Sequence, residues 1–317
     1  RGKPRNQQLR EFLGRSKKQL LVALKEVTSG RGFDIILANE FNSLSGYQAR
    51  LAYTITCLAY MHGAPVRRRN LNACLEGTDV QKANLLQNEL REVVVPWKEG
   101  SEFLCPRHRV IANQVARETA PLEPKQHAVV TFLAQISGDI TPQTISKRSP
   151  EYVGYRGIIN FENMLDLFGE NYDAIEPLYA ELKACYGHDF LFWLQFGRAE
   201  VYFDHFGVGE NYLKQSLGLR EVGNFQAWHY MGVLFLKRAR FQENPGLAAS
   251  DAREGEEILR RQIAERGDFD PYPYAALVKH KLRYLKACHS PKFAEQLEDL
   301  FRTAQSGYRK HPFDDAV

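Results

Sequence analysis

A histidine between two arginines and two isolated cysteine–histidine pairs are the residues of this chain whose types and spacing could do chemistry. In Phe103-Leu104-Cys105-Pro106-Arg107-His108-Arg109-Val110-Ile111-Ala112 the histidine opens a helix, and a helix N-terminus flanked by guanidinium groups favours an anionic group nearby. The same position also suits a surface or hydrogen-bonding histidine, and the residues alone leave both roles open. Cys105-x-x-His108 and Cys185-x-x-His188 each have the spacing of half a zinc site. They fall in different expected modules, so no metal is expected. The five cysteines, Cys57, Cys74, Cys105, Cys185 and Cys288, are odd in number and form no C-x-x-C pair. They read as reduced, mostly buried small hydrophobes.

Other reactive arrangements are incomplete. No G-x-x-x-x-G-K-[ST] loop occurs, and Gly2-Lys3 runs into proline, so the chain cannot grip a triphosphate in the P-loop manner. Gly207-x-Gly209 and Gly30-x-Gly32 lack the preceding strand and third glycine of a dinucleotide fingerprint and read as helix terminators. There is no G-x-S-x-G elbow and no H-E-x-x-H helix. No catalysis by this chain alone is expected. Arg67-Arg68-Arg69 could touch phosphates or form a solvated charged face.

The elements that must position these groups are helical. Ser16-x-x-Gln19 reads as a capping box opening a helix with Leu20, Leu24 and Val27 on one face, ended by Ser29-Gly30; a second helix begins near Gly32-Phe33-Asp34. From 45 to 120 the pattern is that of a winged helix. Ser45-x-x-Gln48 opens a helix bearing Leu51, Ile55 and Leu58, and Gly63-Ala64-Pro65 closes it. A second helix covers about 68 to 75. Thr78-x-x-Gln81 is a further capping box, opening a helix with Val80, Leu85, Leu86 and Leu90. Val93-Val94-Val95-Pro96-Trp97 and Phe103-Leu104-Cys105 make a hairpin around Lys98-Glu99-Gly100. A helix from about Arg107 to Thr119 leads to a break at Ala120-Pro121-Leu122-Glu123-Pro124.

Beyond that break the chain repeats. Trp193-x-x-Phe196-Gly197 recurs as Trp228-x-x-Met231-Gly232-x-x-Phe235, a spacing of 35 against the roughly 34 of a tetratricopeptide unit. The aromatic would fill the space between the two helices of a unit, and the glycine would let the second helix come close. Gly209-x-x-x-Leu213-x-x-Ser216 supplies the small, large, small face of that second helix. The next unit reads as interrupted from Gln242 to Ser250, Tyr272-x-x-Ala275-Ala276 starts another, and Phe161-x-x-Met164-Leu165-x-x-Phe168 is a looser earlier copy. The expected fold is all-α with one small β-hairpin wing: a helical segment at 1–44, a winged helix at 45–120, and a tetratricopeptide-like α-solenoid at 121–317. Tyr230, Tyr272, Tyr274 and Tyr284 are candidates for a protein-binding surface or for the core of the repeats.

Composition sets outer limits. Hydrophobic residues are 44% and charged residues 25% of the 317, close to the soluble globular average, and the mean hydropathy is −0.42. The longest apolar stretches, such as Phe190 to Leu194, fall far short of the roughly 20 residues that cross a bilayer, and the basic N-terminus lacks the apolar core of a secretory signal. A cytoplasmic protein that does not span a membrane is expected. A net charge of +4 is a weak field over this length, and the third helix of the winged segment carries Asp79, Glu89 and Glu92 against Lys82 and Arg91. Nucleic acid is therefore not indicated as a partner.

The order of parts resembles the regulatory C-terminal region of a STAND NTPase, the signal-transduction ATPase class that includes NLR-type immune receptors and bacterial anti-phage sensors. The run from Gln19 to Asp34 is similar to the helical lid of bacterial members, Leu51-Ala52-Tyr53 to Cys57-Leu58-Ala59-Tyr60 resembles the first winged-helix helix, and Arg107-His108-Arg109 looks like the position of the family's M-H-D triplet, with arginines in place of methionine and aspartate. The resemblance implies that His108, with Arg107 and Arg109, faces the β-phosphate of ADP or ATP once the chain is joined to its NTPase core, and that the chain alone holds no cofactor. It further implies a protein trigger such as a phage protein sensed by the solenoid, a winged helix that relays it, an NTPase core and effector in cis or trans, and an oligomer on activation. Two other readings stand beside it: a winged-helix DNA-binding transcriptional regulator with a tetratricopeptide sensor, and a plain scaffold.

Overall fold

Capping chemistry and apolar spacing set where the helices begin and what they bury. The computed structural model describes residues 32–288 and 293–312. The Ser16 capping box, the Leu20, Leu24 and Val27 face, the Ser29-Gly30 stop and the rest of residues 1–31 of the 1–44 segment lie outside the described residues. Helix α1 (Phe33–Ser43) buries Phe33, Leu37 and Phe41, each one turn from the last. Helix α2 (Gly46–Tyr60) is buried nearly all round, with Leu51, Tyr53, Ile55, Cys57 and Leu58 at 1% exposure or less, so it is the central helix of its region. Gly63, at φ +81°, takes the left-handed turn that ends this stretch.

Strand β1 (Val66–Arg67), helix α3 (Arg68–Ala73), helix α4 (Asp79–Asn84) and strands β2 (Val94–Pro96) and β3 (Phe103–Pro106) follow. The strands form one antiparallel sheet in the order β1-β3-β2, with Val66 opposite Leu104 and Val95 opposite Cys105. The sheet is not closed into a barrel. Helix–strand–helix–helix–hairpin is a winged-helix-like arrangement. The hairpin lies where the sequence placed it; β1 was missed, because two residues before a helix carry no alternation to read.

Two capping expectations diverge. Thr78 and Gln81 form the reciprocal box, the Gln81 amide donating to Thr78 Oγ1 at 3.3 Å and the Thr78 amide to Gln81 Oε1 at 2.8 Å. Ser45 and Gln48 do not: the Ser45 hydroxyl donates to Glu89, and Gln48 Oε1 accepts from the Glu76 amide at 3.1 Å. Val80 is 69% exposed, against expectation. After α4 the chain widens into a π turn, Leu85–Glu89, which shifts the helical register and aligns Leu86 and Leu90 with the core but leaves Val80 outside.

Helix α5 (Arg109–Gln114), with a second π turn at Val115–Thr119, leads into α6 (Leu122–Ile136). The expected break is confined to Ala120-Pro121, since proline near a helix start sacrifices no helical hydrogen bond. Helices α7 (Pro142–Ser146), α8 (Pro150–Ile158) and α9 (Phe161–Phe168) complete this region, with α6 against α2 and α3 and α8 against α2 and α6. The buried ammonium of Lys125 donates to the carbonyls of Arg117 at 2.9 Å and Leu167 at 3.0 Å. It thereby binds the otherwise unpaired ends of two helical segments. The Phe161 copy of the repeat lies here, on a helix packed against α8 and the Val115–Thr119 turn.

The chain divides into two compact units between Leu182 and Lys183, within helix α10 (Tyr172–Tyr186). The first unit therefore holds more than the 45–120 segment. Among its described residues the second holds three successive helix pairs: α11 (Phe190–Tyr202) with α12 (Phe206–Leu219), α13 (Phe225–Phe241) with α14 (Pro245–Arg266), and α15 (Tyr272–Cys288) with α16 (Phe293–Lys310). The first helix of each later pair packs on both helices of the pair before it. The expected interruption at 242–250 shrinks to Gln242–Asn244, because Asn244 caps α14 and Pro245 and Gly246 occupy its first turn. Among the described residues no helix is long and apolar enough to cross a membrane.

The repeated glycines sit at helix crossings. A Cβ on Gly197 would stand 2.9 Å from Leu213 of α12, and one on Gly232 would stand 2.8 Å from Leu259 of α14. Gly232→Ala is expected to lower stability by about 1–3 kcal/mol through overpacking. Gly218→Ala, where a Cβ meets nothing within 4 Å, is expected to raise it by about 0.4–1 kcal/mol. Urea denaturation of the two variants beside the parent chain measures both.

Candidate functional site

His108 is the N-cap of α5. Its Nδ1 accepts from the Val110 amide at 3.1 Å, so the neutral ring carries its proton on Nε2 and can donate outward. The flanking arginines diverge from it. Arg107 pairs with Glu40 of α1, which also accepts from Tyr53 at 3.1 Å. Arg109 donates from Nε to the Met61 carbonyl at the end of α2 at 3.0 Å. The three residues are adjacent in sequence, but their side chains do not converge on one point.

Arg109 instead lines an open cleft of about 380 Å³ with His62, Arg148, Tyr152, Val153, Arg156, Gly157, Asn160 and Asn163. The cleft was not expected from the sequence, because its residues come from α5, the turn after α2, and the segment around α8. The one sequence signal for it is the density of arginines at 148 and 156. The Arg67-Arg68-Arg69 run proves structural in part: Arg67 pairs with Glu151 at 3.1 Å and Glu102 at 3.4 Å, and Arg69 with Asp139 at 2.9 Å.

Neither cysteine–histidine pair assembles a metal site. Cys105 is buried, and burial raises its thiol, while His108 faces solvent as a cap; His188 is likewise exposed. Among the described residues no group of three or more histidine, cysteine or carboxylate side chains could hold a metal ion.

The four tyrosines lie in different settings. Tyr272 is 62% exposed, whereas Tyr274 is 2% exposed and belongs to the core, since residues two apart in a helix lie about 200° from each other around its axis. Tyr274 therefore offers no surface to a partner. Tyr230 is half-buried beneath the Arg198 guanidinium, 4.5 Å from its ring centre, and Tyr284 packs partly buried against the same core. Near them, burial holds His229 and His280 as neutral rings, at about 4 and about 3. Arg198 adds to the effect at His229, which Asp270 opposes; Lys279, Arg283, Lys237 and His229 add to it at His280.

Comparison of the chain with family models, with curated proteins and with solved structures finds no match in any of the three. Its class rests on architecture: a predominantly α-helical protein with a winged-helix-like element and a run of packed helix pairs, an arrangement consistent with a protein–protein interaction module.

His108→Ala is expected to cost about 0.5–2 kcal/mol, the usual loss for a side-chain N-cap, and His108→Asn to restore most of it; thermal melts of both variants decide. The folded-state values of His229 and His280 lie below the ordinary 6.5, so their neutral form favours folding. That contribution is full above pH 6.5 and is lost as pH falls from about 6.5 toward 4 for His229 and toward 3 for His280. In an NMR titration both rings are expected to stay neutral through pH 5; midpoints near 6.5 would contradict the burial account.

Proposed function

We infer that this chain is a protein-binding regulatory region, in which the helix pairs of the second unit recognise a partner and the winged-helix-like element of the first unit passes the signal on. The observation that carries this reading is the stack of three helix pairs, each closed on the next, with exposed large side chains left along it. Tyr272, Val222 and Phe269 are 62%, 89% and 84% exposed. Pairs of this kind form extended surfaces whose specificity lies in residues not needed for the stack itself.

The more specific proposal is the regulatory region of a STAND-type ATPase, serving anti-phage defence with a phage protein as trigger. Its support is the order of parts, winged helix at 45–120 then helical repeats, and the placing of His108 at an exposed helix start with Nε2 free to donate. On this proposal the NTPase core supplies the nucleotide grip and this chain supplies no catalytic group. Such a switch needs two states separated by a few kcal/mol and a trigger that prefers one of them.

The transcription-factor alternative draws less support. Helix α4, in the recognition position, spans only Asp79–Asn84 before the π turn. The exposed residues of this helix and turn include Asp79, Gln81, Asn84 and Glu89, where a phosphate backbone calls for cations.

Immobilised chain exposed to infected and uninfected bacterial lysate is expected to retain one phage protein at stoichiometric level from the infected sample. Tyr272→Ala combined with Phe269→Ala is expected to reduce that retention at least about tenfold, the scale of an interface hot spot. Retention that the double variant leaves unchanged, or salt-dependent capture of duplex DNA instead, counts against the reading.

A further inference from the structure

The cleft on the first unit gathers positive charge. Among the described residues its lining contains three guanidinium groups, those of Arg109, Arg148 and Arg156, and no carboxylate. Among the described residues elsewhere in the unit four arginines are paired, Arg67 with Glu151, Arg69 with Asp139, Arg107 with Glu40 and Arg117 with Asp166, whereas Arg50, Arg68 and Arg91 do not line this cleft. Arg148 and Arg156 pair with no carboxylate among the described residues.

Two further features show a prepared site. His62 Nε2 is buried and has no hydrogen-bond partner among the described residues, which is costly unless something completes it. Gly157 makes room for that ring, since a Cβ there would stand 2.3 Å from His62 Cγ. Arg148 holds a left-handed backbone, φ 49°, a conformation uncommon outside glycine and asparagine. It is pinned by hydrogen bonds from the Arg148 amide to the Ile145 carbonyl at 3.1 Å and from the Ser149 amide to the Thr144 carbonyl at 2.9 Å.

The geometry points to this cleft as a binding site for a small phosphate-bearing anion, held by Arg109, Arg148 and Arg156 with His62 at its wall. A single carboxylate would balance one of the three charges. A phosphoryl group carries more charge and offers several oxygens to planar guanidinium forks. The volume of about 380 Å³ lies within the roughly 300–1,000 Å³ range of small-molecule sites. The site is separate from the His108 position, which does not line the cleft, and does not depend on the proposed ATPase link.

The ring of His62 provides a second readout. Burial holds it at about 4, helped by Arg109 and Arg117 and opposed by Asp166. An anion bound in the cleft beside this ring stabilises the imidazolium form through space and moves that value upward.

The test is calorimetric titration of the full chain with inorganic pyrophosphate, and with citrate as a carboxylate comparison, at constant ionic strength. NMR follows the His62 ring in the same samples. Pyrophosphate is expected to bind at least about tenfold tighter than citrate and to raise the His62 value by about one unit or more. Arg156→Gln and Arg148→Asn, the latter keeping a residue that tolerates the left-handed turn, are each expected to weaken binding about fivefold or more with unchanged melting. Arg91→Gln, on an exposed position away from the cleft, is expected to change nothing. Absence of binding, citrate binding as tightly as pyrophosphate, or equal weakening by Arg91→Gln would each overturn the proposal.

Discussion

The close approach of paired helices is the constraint on which the second unit depends. Gly232 and Gly255 lie at one crossing, where a Cβ on Gly255 would stand 2.7 Å from the Gly232 carbonyl oxygen, so α13 and α14 touch backbone to backbone. At the preceding pair, Gly197 admits Leu213 instead, and the aromatics close around the crossing: Tyr212 lies 4.3 Å from the Phe196 ring centre and 5.1 Å from that of Trp193. Polar ties then fix each of these two pairs at one end. Ser216 Oγ donates to the Phe190 carbonyl at 2.8 Å, and Gln262 Nε2 to the Phe225 carbonyl at 2.7 Å, so in both pairs the second helix returns to the first residue of its partner. Arg238 spans α12 and α14 from α13 through Glu210 at 2.5 Å and Asp251 at 2.8 Å. Any side chain at the glycines would separate the helices and strain all these ties together.

The first unit is organised around α2. A helix buried nearly all round cannot be positioned by a single apolar face, so its neighbours must each supply one: α1 through Phe41, which stacks on Tyr53, and the sheet and α6, which pack along it. Lys125 joins the helices after the winged-helix-like element to the end of α5. Burial pushes its ammonium below the usual lysine range, which two carbonyl acceptors offset.

What was legible in the sequence follows from the range of the physics involved. The Thr78 box, the Gly63 stop, the wing hairpin and the Trp–Gly period are local patterns, and each is found in place. Ser45 failed as a capping box because a distant partner, Glu89, took its hydroxyl. Val80 failed because a π turn, which no periodicity announces, changed the register of the helix. The arginine cleft was invisible because Arg109, Arg148 and His62 are brought together only by tertiary packing. Tyr272 and Tyr274 show the same limit on a small scale: two residues apart near a helix start, one faces solvent and the other the core. The sequence named the histidine triplet as a unit, whereas hydrogen bonding divides it among a helix cap, an ion pair with α1 and a contact with the end of α2.

A stack of helix pairs with exposed aromatics is an interaction surface first, and the signalling role proposed for it rests on what that surface meets in the cell. Site-specific photo-crosslinking in living bacteria tests this most directly, with a photoreactive amino acid placed at Tyr272 in the second unit and, separately, at Trp97 on the wing. The account predicts a crosslinked protein adduct at Tyr272 that appears only after phage infection and is absent at Trp97. An adduct confined to Trp97, or one at Tyr272 that infection does not change, would contradict it.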